Sequence, residues 1–155
     1  MTLMALIVAV PAATAGAYFG GVSKSAGDKL CFIAGNAGYR LSDDKSARHV
    51  IRIDNAAAKP ALRMQLVDNP AQADFVLIDD DDNASNCNNA SKIESIHLDP
   101  AAARPELTIA LSRAPADYKI FVRSTHFTDE AAAALFAVIW HKANATGSLR
   151  NIAAR

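Results

Sequence analysis

"IRIDNAAAKPALRMQLVDNPAQADFVLI", residues 51–78, and "IHLDPAAARPELTIALSRAPADYKIFV", residues 96–122, are two versions of one pattern. With a two-residue gap after Pro70, segments 51–80 and 96–123 align over 28 positions, of which 11 are identical. Alanine is abundant and counts for little, but aspartate, proline and leucine also recur in the same order. We interpret the segments as an internal duplication that gives one domain approximate two-fold symmetry, because a solenoid needs three or more copies.

Each copy predicts a strand, a turn of helix and two further strands. The letters "IRID" and "IHLD" alternate apolar with polar residues, which is typical of a half-buried strand. Asp54 and Asp99 then stand where the N-cap of a helical turn would stand, and Pro60 and Pro105 end that turn. The apolar residues of the second strand in each copy are predicted to face the core: Leu62, Met64 and Leu66, and Leu107, Ile109 and Leu111.

The stretch 128–144 predicts a C-terminal helix. Thr128 is a good N-cap residue, and Asp129 and Glu130 favour the positive end of the helix dipole. We expect this helix to cover the apolar face of the sheet. The predicted fold is therefore α+β, a two-layer domain with a mostly antiparallel or mixed sheet built from the two copies.

The N-terminal segment, residues 1–23, contains no charged side chain. An apolar run of about 20 residues can span a bilayer, and "ATA" at 13–15 has the form of a signal-peptide cleavage site. Both a cleaved signal peptide and a membrane anchor remain open. Residues 24–155 are predicted to form a single exported domain, extracytoplasmic, either periplasmic or anchored to the inner membrane.

The two cysteines, Cys31 and Cys87, belong to no CxxC motif. In an oxidising compartment two isolated cysteines usually pair, so we predict a Cys31–Cys87 disulfide. By the chain-entropy estimate, closing a ring of this size stabilises the fold by about 4 kcal/mol.

Composition excludes some classes of function. The 16 basic and 16 acidic residues cancel, whereas a nucleic-acid-binding protein usually shows a basic excess. No glycine lies between Gly38 and Gly147, so the middle of the chain has no glycine-rich loop that could cradle a phosphate. No G-x-S-x-G motif is present, which leaves a serine hydrolase without support.

One face of the predicted sheet carries basic side chains around Val76, Ile78 and Phe121. An apolar centre ringed by basic residues suits an interface or an anionic-ligand site, and an ordinary solvated face is the alternative. The candidate ligand-binding residues are Arg52, Arg63, His97, Lys119 and Arg123.

The run Asp79, Asp80, Asp81 and Asp82 is the candidate metal site. Oxygen ligands at the end of a strand could hold calcium, although the spacing is not that of an EF-hand. The alternative is a solvated, mutually repelling charge run.

These observations favour a non-enzymatic exported or membrane-anchored domain of the cell envelope that acts through protein interaction, with an envelope protein or a second copy as partner. The pattern Pro-x-x-Ala-Asp at 70–74 resembles domains of bacterial envelope lipoproteins over fewer than a dozen residues, and no function is taken from it. A binding protein for a small anion is the first alternative, and an uncharacterised enzyme is the second. No nucleic-acid partner is expected, and the chain is expected to contact the membrane through its N-terminal segment only.

A reporter that is active only after export should be active when it is fused behind residues 1–23, because this apolar segment either spans the membrane or acts as a signal. The same reporter behind residues 24–155 alone should be inactive. Full-length protein found wholly in the cytosol would contradict the predicted compartment.

Overall fold

The computed structural model describes residues 31–34, 37–79, 87 and 90–146. This part of the chain forms eight strands, a short 3-10 turn and one α-helix. The N-terminal segment, residues 1–23, lies outside the described residues. The elements are β1 (Cys31–Ala34), β2 (Ala37–Leu41), β3 (His49–Ile53), β4 (Leu62–Leu66), the 3-10 turn (Pro70–Gln72), β5 (Phe75–Asp79), β6 (Lys92–Leu98), β7 (Leu107–Ser112), β8 (Tyr118–Ser124) and α1 (Asp129–Ala145).

All eight strands belong to one sheet in the order β1-β2-β6-β3-β7-β4-β8-β5. Only β1 and β2 pair antiparallel, and the other six neighbouring pairs are parallel. Of the two predicted alternatives, the mixed sheet is therefore confirmed and the mostly antiparallel sheet is wrong. The short connections favoured antiparallel pairing, because parallel neighbours usually need a crossover of about a dozen residues or more.

The strands of the two repeats alternate across the sheet. The first repeat supplies β3, β4 and β5, and the second supplies β6, β7 and β8, so every strand from β3 to β8 lies beside a strand of the other repeat. Ile109 on β7 pairs with Ile53 on one side and with Leu62 on the other. Loop 54–61 must therefore cross over β7. Loops 99–106 and 67–74 cross over β3 and β8 in the same way.

A stagger between the strands lets these short loops connect parallel neighbours. β3 pairs with the first half of β7, at Leu107 to Ile109, whereas β4 pairs with the second half, from Ile109 onward. The loop therefore crosses β7 and enters β4 further along the strand direction. A return crossover along the full length of β7 is not needed. Main-chain hydrogen bonds mark both ends of the step: the Asp54 amide donates to Ile109, and the Ala61 amide donates to Thr108.

The predicted turn of helix after Asp54 and Asp99 is wrong. Each aspartate begins a tight turn instead, in which its own side chain accepts a hydrogen bond from the amide two residues on: Ala56 at 3.0 Å and Ala101 at 2.9 Å. Aspartate makes such turns readily because its carboxylate takes the place of a main-chain acceptor. These tight turns begin the loops that cross β7 and β3.

The predicted two-fold symmetry is also wrong. Equivalent residues such as Leu62 and Leu107 lie on strands that run in the same direction and face the same core. A two-fold axis perpendicular to the sheet would make these strands antiparallel, and an axis along the strands would turn the side chains to opposite faces. The repeats are instead related by a shift of about one strand across the sheet.

The core lies between the sheet and α1. Ile51, Ile109 and Ile120 are 0% exposed, because each has a strand on both sides, a crossing loop over one face and the core on the other. Of the six predicted core residues of the second strands, five are buried and Leu66 is half-buried against them. The prediction that these residues face the core is confirmed.

Small side chains let α1 lie close to the sheet. Ala131 to Ala134 and Ala137 are buried, and the predicted N-cap is confirmed, because the Thr128 side chain accepts a hydrogen bond from the Ala131 amide at 3.2 Å. In the C-terminal half of α1 the contact with the sheet is aromatic: Trp140 Nε1 donates a hydrogen bond to the hydroxyl of Tyr118 on β8 at 2.9 Å. In the described residues, no helix has both the length and the apolar character needed to cross a bilayer.

The predicted disulfide between Cys31 and Cys87 is present, with the two Cα atoms 5.7 Å apart. Gly38, on β2 beside β1, is buried beneath it. A Cβ atom added to Gly38 would lie 2.5 Å from the Cys87 sulfur, so only glycine leaves room for the crossing. The disulfide therefore ties Cys87 over the outermost hairpin of the sheet.

Leu111→Ala should lower the free energy of unfolding by about 2–5 kcal/mol, because it empties a buried position under α1. Lys119→Ala, on an exposed position of β8, should change it by less than about 0.5 kcal/mol. Denaturant unfolding of both variants measures the difference. A larger loss from Lys119 than from Leu111 would mean that the two faces of the sheet are assigned the wrong way round.

Candidate functional site

The most concentrated group of charges in the described residues surrounds Glu94. This residue lies on β6, faces α1 and is 1% exposed. Its Oε2 lies 2.7 Å from His49 Nε2 on β3, and its Oε1 accepts hydrogen bonds from Lys142 Nζ at 2.6 Å and Lys92 Nζ at 2.9 Å. Arg48 Nε is 3.7 Å away. The carboxylate is therefore buried among cationic donors from two strands and the last turns of α1.

His49 extends the group to the surface. Its second ring nitrogen, Nδ1, lies 2.7 Å from Glu106 Oε2, so both ring nitrogens face carboxylate oxygens. The imidazole ring therefore lies between two carboxylates, one buried and one partly exposed. Glu106 is partly exposed and connects the buried Glu94 to solvent through one imidazole.

The surroundings of Glu94 keep it ionised. Burial alone would raise its pKa, but hydrogen bonds from Lys142, His49 and Lys92 outweigh this and lower the pKa to about 2. Lys142 responds in the opposite sense: burial would lower its pKa, but the hydrogen bond to Glu94 and the negative charge beside it raise the pKa above the ordinary value. The Lys142 ammonium also lies 5.4 Å from the centre of the Tyr39 ring. The pair is held in its charged form.

This group is not among the predicted sites, although the sequence contains a signal for it. Glu94 alternates in step with Ile96 on the face of β6 that packs against the core, and His49 does the same with Ile51 on β3. Two ionisable residues at positions reserved for apolar side chains suggest a buried pair. The sequence could not pair them, because that requires knowing that β6 and β3 are neighbours.

A second polar cluster lies where β5 and β8 end. Asp79 Oδ2 accepts a hydrogen bond from Ser124 Oγ at 2.9 Å and lies 2.8 Å from His126 Nδ1. Ser124 Oγ in turn accepts from the amides of His126 and Phe127. In a nucleophilic triad the histidine stands between the hydroxyl and the carboxylate, whereas here the carboxylate stands between the other two. The cluster shapes the turn that leads into α1.

Three of the five basic side chains predicted to bind an anion are engaged by main-chain carbonyls. Arg52 Nη1 donates to Ala102 at 3.2 Å, within loop 99–106. Arg63 donates to two carbonyls of loop 54–61 at 3.2 and 3.4 Å. His97 Nδ1 donates to Ser42 at 2.8 Å. The two arginines therefore hold the crossing loops on the sheet face opposite α1.

The other two predicted residues, Lys119 and Arg123, are exposed on β8. Anion binding by these five residues stays a prediction. Arg123 lines an open cavity of about 350 Å³ together with Arg113 and Phe121. Asp68 and Asp129 line the same cavity, and Arg113 is paired with Asp68 at 2.9 Å. The cavity therefore holds equal numbers of acidic and basic side chains.

Of the predicted calcium ligands, only Asp79 is described, and its Oδ2 is occupied by Ser124 and His126. Asp80, Asp81 and Asp82 lie outside the described residues. Within the part of the chain that the structure describes, no three His, Cys, Asp or Glu side chains gather where a metal ion could bind. Calcium binding by this run stays a prediction.

The depressed pKa of Glu94 predicts acid sensitivity. The folded state holds this carboxylate ionised down to about pH 2, and the unfolded chain protonates it near pH 4.5. Its contribution, on the order of 3 kcal/mol, is complete above about pH 4.5 and is lost as the pH falls towards 2. Unfolding followed against pH should therefore show a shallower slope in this range for Glu94→Gln than for the wild type.

Asp68→Asn is the control for that measurement, because Asp68 makes a salt bridge on the surface, where such pairs stabilise little. Its slope should match that of the wild type. Equal slopes for Glu94→Gln and the wild type would show that Glu94 is not held ionised by its neighbours.

Comparison of this chain with models of protein families, with curated proteins and with solved structures gives no match.

Proposed function

We propose that this chain is an exported domain of the cell envelope that acts by binding another protein chain. The disulfide supports the compartment, because structural disulfides persist in oxidising environments outside the cytoplasm. The apolar segment at residues 1–23, as a cleaved signal or as an anchor, provides a route across the membrane.

The observation that carries the proposal is the edge strand β5. It ends the sheet, and no strand among the described residues pairs with its outer side. Val76 is 42% exposed and Ile78 is 50% exposed on this strand. Proteins usually protect such an edge with lysine, proline or a bulge, because its free main-chain groups recruit other strands. Strand addition by another chain uses both features, the free main-chain groups and the apolar side chains.

We also infer that the two repeats arose by duplication, and the shared details of their structure support this. Both repeats place an aspartate turn after the first strand, and equivalent strands lie side by side. Alternation of the repeats explains the open edge. Strand β8 has a first-repeat strand on each side, but β5 is the last strand of its repeat and has no further second-repeat strand to cover it.

Binding of a small anion is the alternative function, and one observation favours it. Arg123 and Arg113 line the same cavity beside the aromatic ring of Phe121. Two guanidinium groups and an apolar wall suit a small anion with a flat body. The two aspartates of that cavity oppose the binding of an anion, so the edge strand remains the better-supported site.

Photo-crosslinking in cells that make the full chain tests the proposal. A photoreactive phenylalanine analogue in place of Val76 should give a discrete adduct with another polypeptide chain. The same analogue in place of Lys59, on an exposed loop, should give none. The adduct should be lost when Ile78→Lys is added to the same chain, because an ammonium group would be buried in the apolar contact.

Equal yields at positions 76 and 59, or no adduct at position 76, would contradict the proposal. A rise in the melting temperature with sulfate that Arg123→Ala abolishes would then favour the anion-binding alternative.

A further inference from the structure

The open cavity of about 350 Å³ lies where three neighbouring parallel strands end. Leu66 is the last residue of β4, Arg123 is near the end of β8, and Arg113 follows the end of β7. Asp129, the first residue of α1, lines the same cavity. In open sheets of parallel strands, ligands are usually bound outside the carboxyl ends of the strands. The cavity therefore lies at the end of the sheet that favours ligand binding.

Two of the four charged side chains in the cavity neutralise each other. Arg113 Nη1 donates to Asp68 Oδ1 at 2.9 Å, and the pKa of Arg113 is raised by this hydrogen bond and by the negative charge of Asp68. The charge of Asp129 acts in the same direction to a smaller extent, so its carboxylate lies within electrostatic range of this pair. Apart from the pair, the lining provides one cation, Arg123, and one anion, Asp129.

Both of these remaining groups can accept a ligand. Asp129 is exposed at the start of α1, and no group in the part of the chain that the structure describes donates a hydrogen bond to its carboxylate. Arg123 is exposed on β8. A guanidinium group has five N–H donors, so it can bind a carboxylate while it keeps another partner.

We propose that this cavity binds a small zwitterion, a free α-amino acid with an apolar side chain. The carboxylate of the ligand pairs with Arg123, to which it can make two parallel hydrogen bonds. The ammonium group of the ligand pairs with Asp129, and its side chain packs against the apolar part of the lining, which includes Leu66, Phe121 and Val122. The volume lies near the lower end of the range for ligand pockets, about 300–1,000 Å³, which suits a ligand of this size.

A zwitterion fits this cavity better than a simple anion does. The lining contains two arginines and two aspartates, so the aspartates that repel an anion provide the partner for an ammonium group. Each charge of an amino acid then meets an opposite charge, and neither arginine has to leave its aspartate. The lining includes no residue of β5, so the inference goes beyond the proposed function and does not rest on it.

Calorimetric titration at low ionic strength tests the inference on the full-length, disulfide-intact protein, held in an uncharged detergent if its N-terminal segment is retained. L-phenylalanine and L-leucine carry both charges, 3-phenylpropionate carries only the carboxylate, and phenethylamine carries only the ammonium group. We expect the amino acids to bind at one site per chain. The two single-charge analogues should bind at least about tenfold more weakly than L-phenylalanine, because each lacks one of the two ion pairs.

Two variants separate the roles of the charged residues. Asp129→Asn should weaken the binding of L-phenylalanine by at least about tenfold without weakening the binding of 3-phenylpropionate, because only the amino acid has an ammonium group. Arg123→Gln should weaken the binding of both. Lys119→Gln is the matched control, since it removes a cation from an exposed position of β8 outside the cavity, and it should change neither affinity. An unchanged melting temperature and the retained Cys31–Cys87 disulfide show that each variant is folded.

Several results would overturn the inference. Binding of 3-phenylpropionate as tightly as L-phenylalanine would reject a zwitterion and favour the anion-binding alternative. Absence of binding by both amino acids, or equal affinities in Asp129→Asn and the wild type, would reject the site. None of these results affects the edge strand, because an adduct at position 76 does not depend on this cavity, so the two proposals can fail separately.

Discussion

The stagger between neighbouring parallel strands is the constraint on which the rest of this structure depends. Because β3 and β4 use different halves of β7, an eight-residue loop can carry the chain across its neighbour without going back. Each repeat can then serve as the pairing partner of the other. A sheet formed by one repeat alone would have gaps at every second strand, so neither repeat can complete its hydrogen bonds without the second.

Burial of Ile51, Ile109 and Ile120 follows directly from this crossing arrangement. A strand residue in an open two-layer domain is covered on one face only, but these three are covered by loops on the other face as well. Arg52 and Arg63 secure the loops by donating to their carbonyl groups. The arginines of the basic face thus hold the crossing loops against the sheet. This role explains why they alternate with core residues on these strands.

The Glu94 group solves a different problem, the position of α1. Removing a carboxylate from water costs several kcal/mol, and well-packed apolar residues would often be at least as stable as a buried ion pair. An apolar contact, however, lets a helix slide, and the alanine-rich face of α1 offers few ridges to stop it. The hydrogen bonds from Lys142 and His49 to one carboxylate fix the C-terminal turns of α1 over β6 and β3. The ionic group therefore helps to set the position of α1 on the sheet.

Residue patterns predict the local elements of this protein, and long-range pairing determines the remainder. Alternation in "IRID" and the cap at Thr128 were sufficient for β3 and for α1, and two isolated cysteines were sufficient for the disulfide. Alternation reveals which face a residue occupies but not which strand lies beside it, so the interleaved order and the pairing of Glu94 with His49 could not be predicted. The same gap explains why the sequence predicts Arg52 as a ligand-binding residue and not as a donor to loop 99–106: the sequence does not show where that loop lies.

The two edges of the sheet, β1 and β5, differ in structure. This difference is the reason for proposing the binding site at β5. At one end, β1 and β2 form an antiparallel hairpin that is fastened by the disulfide over Gly38. At the other end, β5 has a neighbour on one side only among the strands that the structure describes, and its exposed positions carry valine and isoleucine. An interleaved pair of repeats leaves an end strand on each side, and among the described strands β2 covers β6 whereas none covers β5. Because charged residues at those two positions would have blocked association at no cost to the core, their apolar character is best explained by a chain that pairs there.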